Sequence, residues 1–220
     1  MDNRTKPLRV LIVYYSFTHE TAKAARTIGD VFTARNCEVT YGPITFTDDR
    51  YKQCIKLPMV PFWDAVLPLL LPQLTGKTGQ YQIDPAVLTQ SYDLICIGSP
   101  TWWFNASMPV RSLLQSDQMK PVLQGKPFGA FIVCREYWRT ALWRIKSLGC
   151  RQGGKFISGT GLAFPGSTPH TVSIGYTYVT TGEDLGYGIG EQGLHKATAF
   201  AEKLLAQVSP QAQPQVIQAV

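Results

Sequence analysis

The chain has 220 residues, 45% hydrophobic and 16% charged, a balance that provides one packed core and excludes a disordered chain. Its net charge is +6 and its pI about 9.1, but Lys and Arg are dispersed without a dense basic run, which argues against nucleic acid as a partner. No apolar run reaches a membrane span, MDNRTKPLRV has no apolar leader segment, and the cysteines at 37, 54, 96, 134 and 150 form neither CxxC nor a zinc spacing; the expectation is a cytoplasmic protein with reduced thiols and no metal.

Residues 8–15 (LRVLIVYY) are apolar apart from Arg9, as in a strand buried on both faces of a parallel sheet. After Ser16–Thr21, the helical spacing of Ala22, Ala25, Ile28 and Phe32 predicts a helix over 21–35. A second strand is expected over 37–46. Residues 47–91 are too long for a simple connection. Pro58, Pro61, Pro68 and Pro72 break them up, so they read as an insertion with short helices. One of these starts at Asp84-Pro85, a cap followed by proline at the first helical position. A third buried strand (92–98) ends in SPTWWFNASMP, and Pro109 opens a helix to about Gln115. A fourth strand (128–134), a helix (138–148) and a fifth strand (155–162) follow. A Gly- and Thr-rich segment fills 164–190, a last helix runs from about 193 to 208, and 209–220 read as a flexible tail.

This alternation predicts one α/β domain over 1–208, a three-layer, doubly wound, five-stranded parallel sheet with the insertion between strands two and three. Such sheets bind ligands beyond the carboxyl ends of their strands, where the strand order reverses. The loops after residues 15, 98 and 134 are therefore the candidates.

The first loop, Ser16-Phe17-Thr18-His19-Glu20-Thr21, meets a helix N-terminus, whose free amides and dipole favour an anion. Its three hydroxyls suit a phosphate; helix capping explains one of them equally well. The second loop, Ser99-Pro100-Thr101-Trp102-Trp103-Phe104, carries three consecutive aromatics. Flat rings can sandwich a heteroaromatic ligand. Side chains alternate in an extended segment, so one or two of the three are expected in the core.

S-x-T-x-x-T after strand one and G-S-P-x-W-W after strand three together resemble the flavodoxin family, with P-V-R-S-L-L (109–114) and G-K-P (125–127) in register. The resemblance covers roughly 8–208, apart from 47–91 and 164–190. It implies the strand order 2-1-3-4-5 and flavin mononucleotide (FMN) as cofactor. Ser16, Thr18 and Thr21, with the amides of Phe17, His19 and Glu20, would then hold the phosphate. Ser99, Pro100, Thr101, Trp102, Trp103 and Phe104 would border the isoalloxazine, and Cys134, Arg135 and Tyr137 would close the other side. Three features depart from the family pattern. His19 stands where the family often has Gly. Residues 134–138 (CREYW) match neither the acidic electron carriers nor the Gly-rich loop of the quinone reductases. The net charge of +6 is unlike the acidic carriers.

Other patterns carry less. Cys134 as a nucleophile would need C-x5-R, and Arg139 falls one residue short. Gly188–Gly193 spell GxGxxG without a following strand, and read as a loop and helix start. Gly76-Lys77-Thr78 lacks the first glycine of a P-loop. Arg135 or Arg139 beside a reduced ring would stabilise negative charge, or either is a surface arginine. Tyr137 packs on the ring or on a dimer partner. His170 reads as a loop histidine or a proton donor. The apolar residues at 62–71 read as core or homodimer interface, with peripheral membrane contact as the lesser reading. The expected function is an FMN-dependent oxidoreductase passing electrons from NAD(P)H or a reductase to a quinone-like acceptor. An electron carrier and a non-catalytic ligand-binding module are the alternatives.

Overall fold

The computed structural model describes residues 6–52, 54, 62–134, 137–163 and 188–208. In chain order they form β1 (Arg9–Tyr15), α1 (Glu20–Ala34), β2 (Glu38–Phe46), α2 (Asp49–Lys52), α3 (Phe62–Leu74), β3 (Tyr81–Gln82) and α4 (Pro85–Leu88). Then come β4 (Leu94–Trp102), β5 (Asn105–Ala106), α5 (Met108–Leu114), α6 (Met119–Leu123), β6 (Pro127–Cys134), α7 (Trp138–Arg151), β7 (Lys155–Ala163) and α8 (Gly190–Val208).

The long strands β2, β1, β4, β6 and β7 pair in parallel in that order, which is the expected 2-1-3-4-5 arrangement. The sheet has seven strands rather than five. The two additions are short: β3 pairs antiparallel with the carboxyl end of β2, and β5 with that of β4.

Burial explains the three layers. Successive residues of a strand face opposite sides. Leu11, Val13 and Tyr15 join one apolar cluster with Val110, Leu113 and Ile145 of α5 and α7. Val10 and Ile12 join another with Ala24, Ile28 and Phe32 of α1 and Phe200 and Leu204 of α8. Polar residues would interrupt a strand covered on both faces, which is why 10–13 are uniformly apolar.

Three sequence expectations need correction. β4 runs to Trp102 instead of ending at 98, because Thr101 and Trp102 pair with Ala106 and Asn105. The short helices expected between broken prolines include a 13-residue one, α3, with Pro68 and Pro72 inside it. Each proline forgoes one amide bond; burial of Leu69 against Tyr51, Cys54 and Met108 opposes that loss. The last helix begins at Gly190, three residues before the expected start. The Asp84 cap holds: its carboxylate accepts the Ala86 N–H at 2.9 Å. Pro58, Pro61, Arg135, His170 and the tail at 209–220 lie outside the described residues. Among those described, no helix is long and apolar enough to cross a membrane, and no group of His, Cys, Asp and Glu could hold a metal ion.

Candidate functional site

The three loops chosen from the sequence all follow parallel strands at the centre of the sheet: β1, β4 and β6. Four non-glycine residues among those described have positive φ, and three of them are His19 (64°), Trp103 (56°) and Tyr137 (60°), one in each loop. Left-handed backbone is costly for such residues and collects at functional sites, so these loops stand out from the other connections.

In the first loop, His19 keeps a glycine-like backbone without being glycine, and its carbonyl accepts the Lys23 N–H at 2.9 Å. His19 therefore takes a left-handed turn of the kind glycine favours. Ser16 Oγ accepts the Ala22 N–H at 3.1 Å. It thus satisfies one free amide of the first turn of α1, but a hydroxyl that accepts still has a proton to donate. Thr18 is half-buried, Thr21 is buried in the first helical turn, and Phe17 packs on the core. Glu20 faces elsewhere: its carboxylate accepts the Ile189 N–H at 2.9 Å, tying α1 to the start of α8. A carboxylate only accepts, so an anion at this loop meets less repulsion with Glu20 so engaged.

The second loop is a hairpin of β4 and β5 with Trp103 and Phe104 at its tip. Gly98 is required by packing, since a Cβ there would fall 2.3 Å from Phe131 Cζ. Ser99 is fully buried. Its Oγ lies 3.0 Å from Ser107 Oγ and accepts the Ser107 N–H at 3.0 Å, while Pro100 O accepts that same N–H at 3.2 Å. Both residues brace the base of the hairpin. The Thr101 hydroxyl is buried without a hydrogen-bond partner among the described residues. Trp102 is the core member of the aromatic trio, edge-on to Tyr15 at 5.5 Å and to Phe46 at 5.9 Å. Phe104 is exposed and meets Tyr137 of the third loop.

In that third loop Cys134 is buried at the end of β6. The Arg139 guanidinium lies 5.1 Å from the Trp138 ring centroid, which favours its helix-surface reading. Burial raises the Tyr15 phenol beyond its ordinary range, so it stays neutral beneath the hairpin.

Gln73 is the residue that sequence reasoning missed. It is fully buried. Its Nε2 donates to Ala106 O at 2.6 Å and Trp102 O at 3.1 Å, and its main-chain carbonyl accepts from Asn105 Nδ2 at 3.1 Å. One residue of the insertion thus holds the hairpin, by its side chain and its main chain. A single polar residue at the end of FWDAVLPLLLPQL was the available signal. An open groove of about 830 Å³ between β3, α4 and α6, lined by Tyr81, Leu88 and Pro121 among others, includes none of the candidate residues. The three loops, rather than that groove, form the candidate site.

No family model and no curated protein matches the chain. Solved structures do. A flavoprotein from Lactobacillus acidophilus NCFM, determined in complex with FMN, is 21% identical over 70% of this chain and 93% of its own, with a TM-score of 0.52. A flavodoxin from the domain Archaea is 13% identical over 91% and 99%, with a TM-score of 0.54. Oxidised flavodoxin 1 from Bacillus cereus is 14% identical over 90% and 97%, with a TM-score of 0.52. With the parallel order β2-β1-β4-β6-β7, these likenesses establish that the chain has the flavodoxin-like fold.

Proposed function

We propose that the chain binds FMN at these three loops and is an FMN-dependent oxidoreductase, taking electrons from NAD(P)H or a reductase and passing them to a quinone-like acceptor. One arrangement carries this reading: at the carboxyl edge of adjacent parallel strands, a hydroxyl-rich helix N-terminus stands beside an aromatic hairpin. The similar structures include FMN-bound and flavodoxin proteins, which supports the same ligand here.

The residues present fit that group. Ser16, Thr18 and Thr21 supply neutral donors, and the α1 N-terminus adds positive potential without a counter-charge to neutralise. The orphaned Thr101 hydroxyl needs an acceptor, and a polar ring edge offers one. Trp103, Phe104 and Tyr137 supply aromatic surface, while Trp102, seated on Tyr15 and Phe46, stiffens the support beneath them. Bound FMN supplies the hydride and electron chemistry. The protein holds it, orients it and keeps water from one side.

The test is flavin absorbance that stays with the purified protein after excess FMN is removed, followed by bleaching with NADPH or NADH. No retained flavin rejects the site. Retention unchanged in the Thr18→Val/Thr21→Val double variant rejects the phosphate assignment alone.

A further inference from the structure

The stretch from Tyr137 to Lys155 carries the cations Arg139, Arg144, Lys146, Arg151 and Lys155 and no carboxylate. The net charge of the whole chain is +6, so this stretch holds nearly all of the excess and the rest of the chain is close to neutral. Most of the stretch is α7. Ala141, Ile145 and Leu148 bury the inner face of that helix against the sheet. Arg139, Trp143 and Lys146, at i, i+4 and i+7, share one row on the outer face, and all three are exposed.

Among the described residues the ion pairs are Arg9–Glu38, Arg35–Glu202 and Arg50–Asp48, none of which includes a cation of α7. Two of these cations lie over rings instead. The Arg139 guanidinium is 5.1 Å from the Trp138 ring centroid, and Lys146 Nζ is 5.2 Å from that of Phe156. Each stem is laid along apolar surface while its charged head stays at the surface. Exposed apolar side chains gather in the same region. Trp143 is 65% exposed, and Phe104 and Tyr137 stand exposed at the start of α7. Leu71 and Leu74, also exposed, lie in the last turn of α3. Gly76 follows that turn, and a Cβ on it would fall 2.7 Å from Arg144 Nη2. Tyr41 is the one other large apolar residue exposed among those described. Such clustering marks an interaction surface, whereas scattered apolar residues do not.

We propose that the outer face of α7, centred on Arg139, Trp143 and Lys146, docks the protein on the surface of an anionic lipid bilayer, with Trp143 seated among the headgroups. An acidic protein would match the charge alone. Tryptophan and leucine set among arginine and lysine match a headgroup layer in both respects, the apolar groups at the interface and the cations against anionic lipid. The contact is peripheral, since no described helix is long and apolar enough to cross a membrane. It does not rest on the flavin reading.

Co-sedimentation with vesicles of phosphatidylcholine containing about a third phosphatidylserine, against phosphatidylcholine alone, tests it. The wild-type protein should bind the mixed vesicles at low salt, leave them at high salt and ignore the neutral ones. Each cation near such a surface changes affinity about fivefold, so Arg139→Gln/Lys146→Gln should bind about tenfold more weakly or worse, while circular dichroism shows it folded. Lipid brominated on its acyl chains, placed in the mixed vesicles, should quench the tryptophan fluorescence of the wild type and quench that of Trp143→Phe markedly less. The proposal is overturned if the wild type does not bind the mixed vesicles at low salt, if the double variant binds equally well, or if Trp143→Phe is quenched equally. Retention on immobilised polyglutamate without binding to the vesicles also overturns it and assigns the face to an acidic protein. These assays need no flavin, so failure to retain FMN leaves their outcome unaffected.

Discussion

The ring of Phe104, at the tip of the β4–β5 hairpin, meets the ring of Tyr137, at the start of α7, with centroids 4.6 Å apart and planes at 69°. Edge-to-face pairs contribute about 0.5–1.5 kcal/mol beyond area burial. Both residues are about half exposed, so the lower end applies. A double-mutant cycle of Phe104→Ala and Tyr137→Ala should give a coupling near 0.5 kcal/mol in urea unfolding. Zero coupling would mean that the second and third loops do not touch in solution.

Gln73→Leu keeps the volume and removes the two side-chain hydrogen bonds to Trp102 O and Ala106 O. It also strips Arg111 of its Nη2 acceptor. Leaving these buried groups unpaired should cost about 2–4 kcal/mol. Thr75→Ala, two residues on and exposed, removes a hydroxyl bonded only within α3 and should stay within about 0.5 kcal/mol of wild type. Denaturant midpoints of the two variants separate the outcomes.

His19 sits at φ 64° without a side-chain capping bond. His19→Gly should hold or raise stability by up to about 1 kcal/mol, while His19→Val, β-branched at positive φ, should lower it by about 1–2 kcal/mol. If the valine variant is as stable as the glycine one, the left-handed turn is not formed.

Gly98→Ala places its methyl group against the Phe131 ring and Tyr14 Cβ. Overpacking of this kind costs about 1–3 kcal/mol. The same change at Gly125, whose surroundings are empty but whose φ is +73°, introduces backbone strain alone. Thermal midpoints below wild type for both variants, with a smaller loss for Gly98→Ala in the Phe131→Leu background, would locate the clash.

Asp48 is buried, chelated by Arg50 and bonded by the Gln80 N–H at 3.0 Å. The Arg50 guanidinium, with those amide bonds, lowers its carboxyl pKa to about 2. The folded value lies below the unfolded one, so the contribution to stability is complete above pH about 4 and fades as pH falls towards 2. Asp48→Asn should flatten the acid limb of a stability profile between those values. An unchanged limb would show that the ion pair contributes nothing.

The sheet was legible because burial on both faces writes itself into uninterrupted runs such as residues 10–13 and 94–97. The α1 stripe and the Asp84 cap were legible for equally local reasons. The hairpin was not. Its second strand is two residues long, and Trp103-Phe104 carries none of the Gly or Asn that announce a tight turn. The Ser99 hydroxyl meets that of Ser107, eight residues away, a pairing no periodicity encodes. Prolines 68 and 72 suggested a broken segment because tertiary burial, which holds α3 together, overrides local preference.

Gln73 has a last consequence, for assembly and for engineering. Among the described residues the two large apolar clusters that join the parallel strands to α1, α7 and α8 contain no residue of α3, whereas the ring-bearing turn is bonded to Gln73. The hairpin should form after the sheet and be lost before it under mild stress. Anyone transplanting this hairpin to another scaffold would have to carry α3 with it, as a mould travels with its casting.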